Sequence, residues 1–239
     1  MANIYSVKNH KLLFINPPKC GTCSIEHTFQ NPVKVNSREK VVIHGHPTFI
    51  EIENILKQKN INHRGLTTRT WEDKNGVSLY ETDDWMKYNV IFCTIRNPWA
   101  RMVSWYEYIK KTDSKVSGST YFKEIKDNGF YEWVVEWINS NHKEKELFKP
   151  QIDYIIDQNN SVVVDYMLSC NDLENNLNDM FKKLRVNEKM KVEHHNKTNH
   201  KDYRLYYTGL DEHKSSELIE LVRTWEKGIL EVHTFEDSF

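Results

Sequence analysis

The chain has 239 residues, with 33 Lys and Arg against 34 Asp and Glu and a net charge of -1. That balance excludes a general electrostatic attraction to nucleic acid or to an anionic membrane, so any anion site must be a local cluster. A mean hydropathy of -0.72 with 12% aromatic residues excludes a membrane-embedded chain and fits a globular protein better than a disordered one. Cys20, Cys23, Cys93 and Cys170 are too few for a disulfide scaffold and point to a reducing setting. The N-terminal MANIYSVKNHK has no signal-peptide core, and no apolar stretch approaches spanning length. The expectation is a cytoplasmic protein with no membrane span and no nucleic-acid partner.

In chain order, strands are expected at Lys11–Asn16, Lys40–His44, Asn89–Ile95 and Ser161–Tyr166. Three of these read as near-continuous Val, Ile and Phe, as parallel strands covered on both faces do. Helices are expected between and after them, at Ser24–Gln30, Thr48–Gln58, Trp99–Lys111, Tyr121–Asn139, Leu173–Leu184 and His213–Val232. Strands alternating with helices predict an α/β fold with a central, mainly parallel sheet flanked by helices. No repeat or long linker divides the chain, so residues 1–239 read as a single domain with variable loops at about 59–88 and 112–145.

The segment Leu12–Ser24, LLFINPPKCGTCS, carries the clearest chemistry. An apolar strand stops at two prolines, and a helix begins within a few residues. A tight turn ahead of a helix offers unpaired backbone N–H groups and the positive end of the helix dipole to an anion. Lys19 adds a full charge, and Thr22 and Ser24 add hydroxyls. The loop is short and carries one glycine, Gly21, so it is not the GxxxxGK[ST] loop of nucleoside triphosphatases.

A second element follows the third strand as RNPWARMVSWYEYI. Arg96 sits at the carboxyl end of that strand, where ligands bind in open α/β sheets. Asn97 is suited to cap the helix and Pro98 to its first turn. Arg101 and Ser104 are three residues apart and share a helix face. A capped helix with surface arginines is the plainer reading of this element alone. Two phosphate-competent elements, each after a buried strand, fit a ligand with anionic groups at two ends.

These residues carry a resemblance. Pro18-Lys19-x-Gly21-Thr22-x-Ser24 resembles the 5′-phosphosulfate loop of the PAPS-dependent sulfotransferases, and Arg96-Asn97-Pro98-x-x-Arg101-x-x-Ser104-x-Tyr106 resembles their 3′-phosphate motif. Lys149-Pro150-Gln151, Asp172–Leu184 and HHNKTNHKDYRLYYT (His194–Thr208) are similar to the later regions of the carbohydrate branch. Asn171 stands where that family often has an acidic residue. The resemblance implies a P-loop-like α/β sandwich that uses PAPS (3′-phosphoadenosine 5′-phosphosulfate) as donor, yields PAP, and needs no metal. It places Lys19, Cys20, Gly21, Thr22, Cys23 and Ser24 on the 5′-phosphosulfate and Arg96 and Ser104 on the 3′-phosphate. Asn196 and Lys197 fall in the late segment, with a donor-clamping or acceptor-facing role.

Sulfonyl transfer to an alcohol needs stabilisation of the departing phosphate and a base for the acceptor hydroxyl. Lys19, beside the loop, supplies the first. For the second, His44 and His46 in VVIHGHPTF follow a strand, and an imidazole, titrating near pH ~6.5, has suitable basicity. The HGHxxF pattern also resembles the catalytic region of uronyl 2-O-sulfotransferases, where the second histidine is the base. His46 is therefore the first choice and His44 its support or substitute, and a hydroxyl-bearing acceptor, most readily a saccharide, is implied. Two hydrogen-bonded structural histidines at a strand end are the alternative.

Two rival classes stand beside this reading. Cys20-Gly21-Thr22-Cys23 is a CxxC at a strand-to-helix turn, as in thioredoxin-like redox proteins. A PAP-binding module without turnover would keep the same anion elements.

Overall fold

The computed structural model describes residues 2–7, 10–30, 41–43, 46–58, 90–111, 129–139, 148–193, 202–236 and 238–239. The described chain divides into two compact units: residues 1–95 with 151–195, and residues 96–150 with 196–239.

The first unit is built on a five-stranded sheet of order β3-β1-β2-β4-β5. Its strands are β1 (Ala2–Val7), β2 (His10–Ile15), β3 (Val41–Ile43), β4 (Val90–Ile95) and β5 (Tyr166–Ser169). β2, β4 and β5 are parallel neighbours, whereas β1 pairs antiparallel with both β2 and β3. The expected α/β class holds, with a mixed sheet in which the parallel part is β2, β4 and β5. Strand β1 was not expected. It makes a tight antiparallel pair with β2, Val7 opposite His10, a local pairing that short-range contact favours. β3 lies beyond β1 and not beside β2. It still runs in the same direction as β2, because two antiparallel steps restore polarity, so its carboxyl end reaches the same edge of the sheet.

Helices α1 (Thr22–Gln30), α2 (Phe49–Gln58) and α5 (Leu173–Lys183) belong to this unit. Leu12 and Phe14 of β2, Phe92 of β4 and Leu168 of β5 form one core with Ile25 and Phe29 of α1 and Leu173, Leu177, Met180 and Phe181 of α5. The alternate residues Leu13, Ile15, Cys93 and Ile95 are buried as well, so both faces of the central strands are covered. That is why β2 and β4 read as unbroken apolar runs.

The second unit holds α3 (Pro98–Lys111), α4 (Phe130–Asn139), α6 (Arg204–Thr208), α7 (Glu212–Trp225) and α8 (Lys227–Val232). Its core is aromatic: Trp99, Trp105 and Tyr106 of α3 pack with Phe130, Trp133 and Trp137 of α4, Phe148, and Tyr207 of α6. The Tyr121–Asn139 helix is described from Phe130; residues 112–128, like the loop at 59–88, lie outside the described residues.

Two expected elements fall elsewhere. The fourth strand was expected at Ser161–Tyr166, but of that span Tyr166 alone joins the sheet, as the first residue of Tyr166–Ser169, while Val162 makes an isolated bridge to Ile156. Val162 is 38% exposed and Leu168 is buried, so burial against β4 chose the later register over the richer β-branched run. The His213–Val232 helix is broken at Glu226, where the backbone leaves the helical region. Among the described residues no helix is long and apolar enough to cross a membrane.

Candidate functional site

The β2–α1 connection has the sharply turned backbone expected of the loop. Lys19 (φ 67°) and Gly21 (φ 79°) both occupy the left-handed region, one on each side of Cys20. Such alternation curls the main chain into a concavity lined by its own N–H groups. Glycine is required at position 21, because a Cβ there would strain the backbone and sit 3.2 Å from Cys170 Sγ and 3.5 Å from Leu173 Cδ2. α1 begins at once with Thr22, and the Gly21 carbonyl accepts from the Ser24 and Ile25 amides at 3.1 and 3.3 Å. α1 therefore opens directly onto the loop, with the positive end of its dipole turned toward it. The Thr22 hydroxyl is buried and has no hydrogen-bond partner among the described residues. A buried hydroxyl left unpaired is uncommon and costly; at the mouth of a helix dipole it is suited to an oxyanion.

His46 belongs to the same unit. Its Nδ1 lies 2.9 Å from the carbonyl oxygen of Asn16, the residue that leads β2 into the loop. A carbonyl only accepts, so Nδ1 carries the proton and Nε2 the lone pair. The ring is exposed while Asn16 is fully buried. A capping box fixes the chain just after His46: Glu51 Oε2 accepts from the Thr48 amide at 2.6 Å and from its hydroxyl at 2.9 Å, and Thr48 Oγ1 accepts from the Glu51 amide at 3.2 Å. The T-x-x-E pattern announcing that box was present in the sequence.

The cysteines of the loop are thiols, and the described residues contain no disulfide. Cys20 is fully buried and its S–H donates to Gln151 Oε1 at 3.2 Å. Burial, and then the neighbouring Cys20 and Cys170, push the Cys93 thiol well above its ordinary range. Among the described residues no group of three or more His, Cys, Asp or Glu is arranged to hold a metal ion.

In the second unit, Arg96 is half-buried immediately before α3. Asn97 caps that helix as its residue type suggested, Oδ1 accepting from the Ala100 amide at 3.1 Å, while Nδ2 donates to Tyr203 Oη at 3.3 Å. Arg101 is fully buried, ion-paired with the equally buried Glu226 at 2.5 Å, donating to the Lys149 carbonyl at 2.9 Å and stacked 3.9 Å from the Phe148 ring centre. It is a structural residue, which the i, i+3 spacing with Ser104 did not reveal. Ser104 is 3% exposed. Tyr206 and Tyr207 are packing residues: their hydroxyls donate to Glu107 Oε1 at 2.8 Å and to the Trp99 carbonyl at 3.2 Å. Trp133 and Trp137 are likewise core, fully buried and stacked at 6.1 Å. His44, Asn196 and Lys197 lie outside the described residues.

Sequence reasoning gave no role to Asn16, Gln151 or Glu226, each a buried polar group. Asn16 left a signal, as the one polar residue between an apolar strand and two prolines.

A model of the sulfotransferase family matches residues 3–230, nearly the whole chain. The chain belongs to the sulfotransferase family. It is therefore a transferase that moves a sulfonyl group, and its acceptor carries a hydroxyl. The protein is also similar to an uncharacterized protein of Archaeoglobus fulgidus, with 29% identity over 123 residues, 51% of this chain and 86% of that one. No solved structure matches it significantly. With this family membership and the Cys20 thiol buried against Gln151, the redox reading of Cys20 and Cys23 is not favoured.

Proposed function

We propose that this sulfotransferase transfers the sulfonyl group of PAPS to a hydroxyl of a glycan, in line and without a metal, with His46 as the base. The observation that carries the reading is the anchoring of His46 Nδ1 on the Asn16 carbonyl. It fixes the ring beside the residue at which β2 gives way to the loop.

The loop residues fit a bound phosphosulfate: an inward-curled main chain, a lysine, a helix N-terminus and a buried hydroxyl without a partner among the described residues. PAPS would supply an activated sulfonyl group whose departure leaves a phosphate. Lys19, Thr22, Ser24 and the backbone of Cys20, Gly21 and Cys23 would hold that end, and the Lys19 ammonium would offset the charge gathering on the bridging oxygen. Arg96 and Ser104 would take the 3′-phosphate, and Lys197 a donor contact. The ring of His46 would remove the acceptor proton through Nε2, and its Nδ1–H bond to Asn16 stabilises the imidazolium that results. His44, two residues before it, would support or replace it.

The P-loop-like sandwich, the carbohydrate branch and the single domain belong to the same proposal; the family match through both units supports the last. The cytoplasmic placement draws on the four thiols.

Labelled PAPS offered to glycans, phenols and lipid-linked sugars tests the reading, with wild type beside Lys19→Ala and His46→Ala. We expect transfer to a saccharide, abolished by Lys19→Ala. His46→Ala should lose rate, about a hundredfold or more, while keeping its affinity for 3′,5′-ADP. Nucleotide binding with no turnover on any acceptor would favour a non-catalytic module instead.

A further inference from the structure

Thr94 carries a hydroxyl that the chemistry above leaves unused. It is fully buried in β4, and its Oγ1 has no hydrogen-bond partner among the described residues. Valine has the same shape and would fill the position without that penalty. The rest of the strand is Val90, Ile91, Phe92, Cys93 and Ile95, so the hydroxyl stands out chemically.

Its place in the fold suggests what it serves. Phe92, two residues earlier, stacks on Phe14 at 4.9 Å and lies 6.2 Å from Phe29 of α1. Strand alternation puts Thr94 on that same α1-facing side, one step nearer the carboxyl end of the sheet. Ile15 pairs with Cys93, so Asn16, where the loop departs, comes level with Thr94. α1 runs back from that end, and its first residue is Thr22, whose hydroxyl is likewise buried with no hydrogen-bond partner among the described residues. A strand and a helix thus each present an unpaired buried hydroxyl beneath one anion loop.

We propose that Thr94 is a further ligand-binding residue of this loop, forming its floor and donating a hydrogen bond to the anionic group held above it, directly or through one enclosed water. The inference rests on the donor reading, because that group would be the 5′-phosphate of the nucleotide. The unpaired hydroxyl is then retained at a cost to the empty protein because the ligand uses it.

Adenosine 3′,5′-bisphosphate is the probe, titrated calorimetrically into wild type, Thr94→Val and Thr94→Ser, with thermal unfolding of each variant measured without nucleotide. Thr94→Val should bind about tenfold more weakly, the worth of one lost hydrogen bond, yet unfold at the same or a higher temperature. Thr94→Ser should keep near-wild-type affinity. Wild-type affinity in Thr94→Val would overturn the proposal, as would equal losses of affinity and melting temperature in both variants, which would mark Thr94 as packing. A wild-type protein that takes up no nucleotide would remove the donor reading beneath it; binding that ignores Thr94 would leave that reading intact.

Discussion

At Arg101 the guanidinium is held by the carboxylate of Glu226, the carbonyl of Lys149 and the ring of Phe148. Both side chains are fully removed from water, so each needs the other as its counter-charge. Arg101→Met should destabilise the protein by about 3–5 kcal/mol, since it strands Glu226 without a counter-charge. Arg101→Met combined with Glu226→Leu should recover much of that loss, as buried ion pairs replaced by apolar groups of similar volume commonly do. Urea unfolding of the three proteins checks both outcomes; equal losses in the single and double variants would assign the effect to packing. From the sequence Arg96 stood at the end of a strand and Arg101 shared a helix face with Ser104, and neither pattern told which of the two was buried. What separates them is burial, and that is set by Glu226 more than a hundred residues later, at no spacing that local pattern reading tests. The tight turn at Lys19 and Gly21 was legible because its signals, two prolines and a glycine, are sequence neighbours.

Elements whose signals are local came out close to their expected bounds: β2, α1 and the Asn97-capped α3 each announce themselves through an apolar run, a turn or a cap. The misplaced ones depended on partners. β1 forms by pairing with β2 on one edge and β3 on the other, and β5 took the register that buries Leu168 against β4. The long C-terminal helix breaks where Glu226 turns to meet Arg101. The loop between β2 and α1 is the element with the tightest tolerance. Gly21→Ala forces a Cβ toward Cys170 Sγ and keeps an L-residue at φ 79°; we expect a loss of about 1–3 kcal/mol together with weakened nucleotide binding. Adding Cys170→Ala to Gly21→Ala removes the contact but not the backbone strain, so it should restore only part of the stability. Full restoration in the double variant, measured by thermal unfolding, would show that the contact alone set the need for glycine.

For the molecule as a whole, the charge balance leaves little net field, and pH acts through individual groups. His233 is half-buried beside Phe235, and burial lowers its pKa. The folded state therefore resists protonation, whereas the unfolded chain accepts a proton near the ordinary value of about 6.5. Stability is unaffected above that pH and declines as pH falls through it, until the folded form is protonated too. Melting temperatures from about pH 7.5 to 5 should show this slope, and His233→Gln should flatten part of it.

Ligand linkage provides the larger lever. On the proposed donor reading, saturation with 3′,5′-ADP at about a hundred times its dissociation constant should add about 2.7 kcal/mol of stability, a rise of roughly 5–10 °C for a chain of this length. The two proposed anion sites contribute separately to that rise. If Arg96 takes the 3′-phosphate, 5′-AMP should stabilise the wild type less than 3′,5′-ADP does, and Arg96→Ala should make the two nucleotides equivalent by weakening only the bisphosphate. Lys19→Ala, acting on the 5′ end that both ligands share, should weaken both by similar factors and preserve the difference between them. A bisphosphate preference that survives in Arg96→Ala would move the 3′-phosphate to other residues, while leaving the loop at Lys19 in place.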